Sequence, residues 1–310
     1  MSRFAKYGWL VLGYNLLVIL WGAYVRASGS GAGCGDHWPL CNGVVIPREP
    51  AIETLIELTH RATSGIAFLM VVAQLVWARR LRPAGDPVRR VAHVAMALMV
   101  TEALVGAGLV LFQMVADNDS IARAYWLAAH LLNTFGLVGA LALVPWLASG
   151  KPVPRLDDLG PEGKLLVAGL LGTLVLGMTG AITALGDTLF PAQSLREGIA
   201  QDFSPTAHLL LRLRVLHPTF AVAVVFLLLL ASGVTARLRP SPLVARLAVA
   251  VAALGLGQLL AGLVNLLLLA PIWMQLVHLL MADALWIALV LLTATALGTA
   301  RDAGTVSRRG

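Results

Sequence analysis

The chain has 310 residues, 58% of them hydrophobic and 13% charged, with a mean hydropathy of +0.82 and a formal net charge of +7. A soluble domain carries roughly 45–50% apolar and about 25% charged residues, so these figures exclude one and point to a chain that crosses a membrane repeatedly. The positive charge does not call for nucleic acid, because it follows the loops of one membrane face.

A crossing helix needs about 20 apolar residues, and eight runs qualify, with cores at 8–26, 57–78, 91–113, 125–148, 165–185, 212–232, 243–269 and 274–298. The runs are continuous, without the alternation of a barrel strand, and lipid leaves helices as the other option. The expected fold is an all-α polytopic membrane protein of eight transmembrane helices in two pseudo-symmetric four-helix bundles. The first run is long and no small-residue cleavage site follows it, so it reads as helix one rather than a signal peptide.

A short basic tail, residues 1–7, precedes the first helix, which ends near Arg26. The glycine-rich loop Ala27–Ile56 holds the two cysteines, Cys34 and Cys41. In an oxidising compartment they read as a disulfide across a short loop. The alternatives are two free thiols or a metal pair, and no further cysteine completes a zinc site. Trp38 and Pro39 suit a compact cap on the membrane surface. The second helix runs inward from Glu57, and a basic loop, Arg79–Arg90, leads to a third helix carrying Glu102. The outer loop Val115–Ala124 is polar and acidic, and the fourth helix has His130 in its second turn. Residues 149–163 are rich in Pro and Gly and mark the natural boundary. The expected division is an N-terminal half at 1–150, a cytoplasmic linker at 151–163 and a C-terminal half at 164–310.

The fifth helix ends near Gly186, and the outer loop Asp187–Leu211 contains Pro191, Pro205 and His208 and is expected to include a surface helix. The sixth helix carries His217. A basic loop from Arg237 to Arg246 leads to the seventh, with Gln258, and a short turn at Ala270-Pro271 leads to the eighth, with His278. The polar tail from Arg301 is expected to be disordered. With the N-terminus inside, 16 of the 23 Lys and Arg residues fall on the inner side. The positive-inside rule then places both termini in the cytoplasm.

The chain repeats. Glu102-Ala-Leu-Val-Gly106 matches Gln258-Leu-Leu-Ala-Gly262 at an offset of 156, and His60 matches His217 at 157. His130 matches His278 at 148, the shorter last turn taking up the difference. Each half therefore has one histidine on its second helix and one on its fourth. A lone histidine in a membrane helix is commonly a hydrogen-bond partner, but two symmetric pairs fit imidazole ligation of a planar iron macrocycle in a bundle core. Thr63, Ser64, Gly65, Gly106, Gly108, Gly136 and Gly262 leave room for a flat ring. Zinc would leave its tetrahedron unfilled, and a plain transporter leaves the pairing unexplained.

The halves differ beside the histidines. Glu57 lies one turn before His60, whereas the aligned position before His217 is Arg214. A carboxylate there can move a proton; an arginine suits haem propionates, and Arg61, Arg212 and Arg214 are candidates for that role. Glu102 reads as a helix–helix hydrogen-bond partner, Asp283 lies deep in the membrane, and His37, His93 and His208 lack repeat partners.

The Glu-x-x-His at Glu57–His60, with His130, His217, His278 and the loop pair Cys34/Cys41 on eight helices, resembles the haem A synthase family over roughly residues 8–298. The resemblance implies oxidation of a methyl group of haem O to the formyl group of haem A, by successive hydroxylations, for cytochrome oxidase. It implies His60 and His130 as axial ligands of the substrate haem and His217 and His278 as ligands of a haem b cofactor. It further implies a reactive Glu57 and a Cys34–Cys41 disulfide. A second cysteine pair, carried by some bacterial members between Asp187 and Leu211, is missing here. Expected partners are haem O and haem A, the lipid bilayer of the bacterial cytoplasmic membrane, a haem O-producing enzyme and an electron-transfer partner. The competing reading is a di-haem b-type electron carrier that oxidises quinol and does no chemistry on the haem.

Overall fold

A computed structural model describes residues 1–155 and 159–299. The tail from Arg301 and part of the 151–163 linker lie outside the described residues. Eight spans long and apolar enough to cross a membrane are present among the described residues. They are α1 (Arg3–Ala27), α2 (Ile52–Leu81), α3 (Pro87–Leu111), α4 (Ile121–Ala148), α5 (Pro161–Leu189), the joined α7 (Leu209–Arg214) and α8 (Leu216–Leu238), α9 (Pro242–Leu267) and α10 (Ile272–Ala296). The expected surface helix is α6 (Leu195–Asp202). A two-residue antiparallel pairing joins β1 (Val153–Pro154) to β2 (Gly298–Thr299).

Local signals explain the helix starts. Three helices that follow basic loops begin with proline at their first position, after Asp86, Gly160 and Ser241. Proline there costs no intrahelical hydrogen bond, and its fixed φ suits the first turn. Ser120 caps α4 by accepting the Arg123 amide, the usual role of a side-chain oxygen before a helix.

Several boundaries differ from the expectation. Helix α1 begins at Arg3, inside the expected tail, and α4 begins at Ile121, its Ser120 cap lying in the polar loop ahead of the apolar run, so His130 stands in its third turn. Helix α2 starts at Ile52, so Glu57 stands in its second turn rather than at its mouth. The added turn, Ile52–Ile56, is amphipathic and therefore invisible to a search for apolar runs. The sixth span is interrupted at Val215, between α7 and α8. Pro218 has no amide hydrogen and its ring crowds the carbonyl four residues back, that of Arg214, which breaks the ladder at this point.

Helix contacts close two rings. In one, α1 touches α2 and α4, and α3 touches α2 and α4; in the other, α5 touches α8 and α10, and α9 touches α8 and α10. Helices α4 and α10 form the seam between the rings, with α5 and α1 beside them. At the seam Trp286 stacks on Phe135, with ring centroids 5.4 Å apart, and donates its indole N–H to the Phe135 carbonyl at 2.6 Å. The hydrophobic core follows the same plan. One cluster runs through α1–α4 and reaches Trp286 of α10; a second is built from α5, α8, α9 and α10.

Candidate functional site

All four predicted ligands are half-buried, one on each of α2, α4, α8 and α10. His60 stands eight residues into α2, and His217 stands eight residues into the joined α7–α8 span. At 1.5 Å per residue both lie about 12 Å along their helices from the start. His60 and His130 stand on α2 and α4, opposite members of one ring, and His217 and His278 on α8 and α10, opposite members of the other.

Glycines make room for these rings. A Cβ on Gly22 of α1 would meet His60 Cε1 at 2.9 Å, and one on Gly180 of α5 would meet His217 Cε1 at 3.0 Å. The two glycines are 158 residues apart, close to the spacing of the histidines they face. Neither was singled out from the sequence, because a glycine in an apolar run carries no mark of what packs on it; the repeat offset was the available signal. A Cβ on Gly262 would meet His278 Cε1 at 3.3 Å, whereas positions 65 and 106 open onto free space. Gly108, expected to leave room for a ring, is instead filled by Trp126, whose Cζ2 would lie 2.3 Å from an added Cβ.

The histidines differ in what holds their second ring nitrogen. His217 Nδ1 lies 3.0 Å from the Thr179 hydroxyl. His130 Nδ1 lies 3.4 Å from Glu102 Oε1. The Nδ1 atoms of His60, His130 and His278 are buried without a formed hydrogen bond, that of His130 facing the Glu102 carboxylate.

Glu57 is buried and faces the loop between α1 and α2. Its Oε2 accepts the Cys34 amide at 2.8 Å, and its Oε1 pairs with Arg61. Arg61 also donates to the carbonyls of His37 at 2.7 Å and Leu40 at 2.6 Å. Those carbonyls lie inside the loop closed by the Cys34–Cys41 disulfide. Gly33 lets the loop settle on α2: a Cβ there would stand 2.4 Å from the Glu53 carbonyl oxygen, and Thr54 donates to the Gly33 carbonyl at 2.7 Å. The expected cap is thus fastened to α2 by a buried acid–base pair.

The second ring carries the opposite charge at the matching place. Arg214 donates to Asp187 at 2.9 Å and to Asp202 at 2.6 and 2.9 Å. Arg212 is exposed and donates to the Pro205 carbonyl. His208 caps α7 and packs against Phe190, and His37 and His93 are exposed. Arg26 was not foreseen. It reaches from α1 to the Ala184 carbonyl and Thr188 of α5 and to Gln275 of α10, tying the two rings together at the end that carries the cap.

A haem held by two histidines needs a pair of neutral imidazoles and a slot for a flat ring. The residues present fit: each ring of helices offers two half-buried imidazoles, orphaned Nδ1 atoms accompany them, and Gly22, Gly180 and Gly262 leave the space that the rings of His60, His217 and His278 occupy. Among the described residues no cluster of three or more His, Cys, Asp or Glu suits a bare metal ion.

The chain is 56% identical over 296 residues to a Thermus thermophilus protein named protoheme IX farnesyltransferase; the match takes in 96% of this chain and 49% of the relative. It is 38% identical over 168 residues to a haem A synthase of Exiguobacterium sibiricum, 54% of each chain, and 43% identical over 97 residues to one of Alkalihalophilus pseudofirmus, about a third of each. The chain therefore spans about half the length, or less, of these first curated relatives. The family model described as cytochrome oxidase assembly protein, COX15-CtaA, matches residues 5–290. With nearly the whole chain matched, and haem A synthases among its relatives, the chain belongs to the haem A synthase family.

Proposed function

We propose that the chain oxidises a methyl group of haem O to the formyl group of haem A. Two hydroxylations at one carbon, each taking its oxygen from water and releasing two protons and two electrons to an external electron-transfer partner, give a geminal diol, and loss of water leaves the aldehyde. The observation that carries this reading is the pair of half-buried histidines in each ring of helices, with a buried carboxylate, Glu57, beside one pair. In this reading residues 1–150 and 164–310 are two pseudo-symmetric halves. His60 and His130 hold the substrate haem; His217 and His278 hold a haem b cofactor.

When bound, the haem irons supply the redox chemistry. The chain supplies position and charge. Gly22 and Gly180 seat the His60 and His217 rings against the neighbouring helices. Glu57 is the acid–base group, held by Arg61 and the Cys34 amide at the edge of the first site. Arg61, Arg212 and Arg214 line the outer ends and can meet propionates, each while holding a carbonyl or carboxylate of its own loop. The disulfide cap shields the site from the outer aqueous phase. The protein works in the bacterial cytoplasmic membrane with both termini inside and the haem sites toward the outer face. The likeness to a protein named farnesyltransferase supports a haem O-producing enzyme as the neighbour that supplies substrate.

The test is to express the full chain with a haem O source and identify the extracted haems by chromatography. Haem A or its hydroxylated precursor is expected. Haem B alone in both halves would overturn the reading in favour of an electron carrier.

A further inference from the structure

The two rings are alike in their histidines and unlike in one surrounding. Glu102 of α3 stands 3.4 Å from His130 Nδ1. Its two oxygens accept from Asn133 and Thr134 of α4, which are three and four residues beyond His130 and share its helix face. Asn133 is itself fixed: it donates to the Leu98 carbonyl at 2.9 Å and accepts from Thr101. The carboxylate is thus aimed at the ring by donors from the same helix as the ring. In the other ring every part of this arrangement is missing. The aligned residues are Gln258, Met281 and Ala282, and the Gln258 Oε1 is buried without a partner; His130 Nδ1 and His278 Nδ1 both lack a formed hydrogen bond, but only His130 Nδ1 has a carboxylate oxygen as near as 3.4 Å.

We infer that Glu102 is a positioning residue that accepts a hydrogen bond from His130 Nδ1 and makes this imidazole the more strongly donating iron ligand of the protein. The inference rests on the haem-ligand reading above. An imidazole that binds iron through Nε2 must carry its proton on Nδ1. A carboxylate at Nδ1 fixes the tautomer and raises the basicity of the ligand, which favours ferric over ferrous iron and lowers the reduction potential. His278, whose Nδ1 faces no acceptor, lacks that effect. The chain therefore sets two haems of the same ligation at different potentials, with the lower one in the half that carries Glu57.

The experiment is a spectroelectrochemical titration of the full-length chain loaded with protohaem. In the H278A background the titrated haem is that of the His60–His130 pair. There E102Q, which keeps the size of the side chain and removes its charge, is expected to raise the midpoint by ~59 mV or more, the equivalent of a tenfold change in a one-electron equilibrium. E102D is expected to recover part of the shift. A strut that merely joined α3 to α4 would move thermal stability and leave the midpoint where it was. The reciprocal variant Q258E, in the H60A background, is expected to lower the midpoint of the other haem. If E102Q does not fold, Q258E decides: a downward shift supports the inference and an unchanged midpoint overturns it. Protohaem bound with unchanged midpoints in both variants overturns the role of Glu102 alone. A chain that takes up no protohaem overturns the ligand reading and this inference with it.

Discussion

Glu57 answers to two demands at once. It closes the cap through the Cys34 amide and Arg61, and it stands three residues from His60 on the same helix. Glu57→Gln keeps an acceptor for the amide and removes the charge. Because acid–base groups contribute about 10²–10⁴-fold, this variant should lose product by at least about 100-fold while its haem content holds. Haem loss with unchanged turnover per bound haem would count against an acid–base role. The glycines give a second test. Gly22→Ala forces a Cβ into His60 and Gly180→Ala into His217, while Gly262→Ala meets His278 at the looser 3.3 Å. Displaced ligands should weaken haem retention roughly tenfold in the first two variants, and less in the third, read from the absorbance of the purified protein. Equal retention in all three would show that these contacts do not seat the rings. The histidines themselves were legible, since four of them in a repeat are rare in apolar sequence. Their partners were legible only in part: Glu102 was expected to bond across helices and does so to Asn133 and Thr134, but that it faces His130, and that Thr179 and Gly22 reach histidines on other helices, could not be read from spacing along one helix.

Element by element, hydropathy located every span and missed some ends. The search for apolar runs began α2 at Glu57 because the turn before it is amphipathic, and it ran through Val215 because nothing in composition marks a break there. Pro218 was the physical clue, four residues after the carbonyl it disrupts. The seam between α4 and α10 was also hidden. Trp286 and Phe135 each look like ordinary apolar residues, yet the indole N–H and the stacked rings join the two helices. Trp286→Phe removes one buried hydrogen bond, a cost of about 1–2 kcal/mol; Trp286→Ala adds a cavity, for about 3–5 kcal/mol in all. Unfolding in detergent micelles should show that order of losses. A midpoint unmoved by Trp286→Phe would mean that the bond carries no stability at the seam.

At the scale of the whole molecule the prediction concerns which way the rings face. Charge placement predicts an orientation with both termini inside, and the eight spans among the described residues, an even number, are consistent with it. The cap, α6 and the Arg26 junction then share one outer surface, and the basic loops between α2 and α3 and between α8 and α9 share the inner one. The chain lends itself to a direct check, because both native cysteines are in the disulfide and, among the described residues, no thiol is free. Ala200→Cys on α6 and Ala84→Cys between α2 and α3 each place one thiol at an exposed position. A membrane-impermeant maleimide added to intact spheroplasts should label Ala200→Cys and spare Ala84→Cys until the membrane is opened. The reverse pattern would turn the molecule over. It would also carry the histidine pairs to the cytoplasmic face, where a reducing environment would not sustain the Cys34–Cys41 bond that closes the cap. Orientation and disulfide therefore stand or fall together. Non-reducing electrophoresis of the same membranes, in which Cys34 and Cys41 should resist labelling until dithiothreitol is added, tests the second by a route independent of the first.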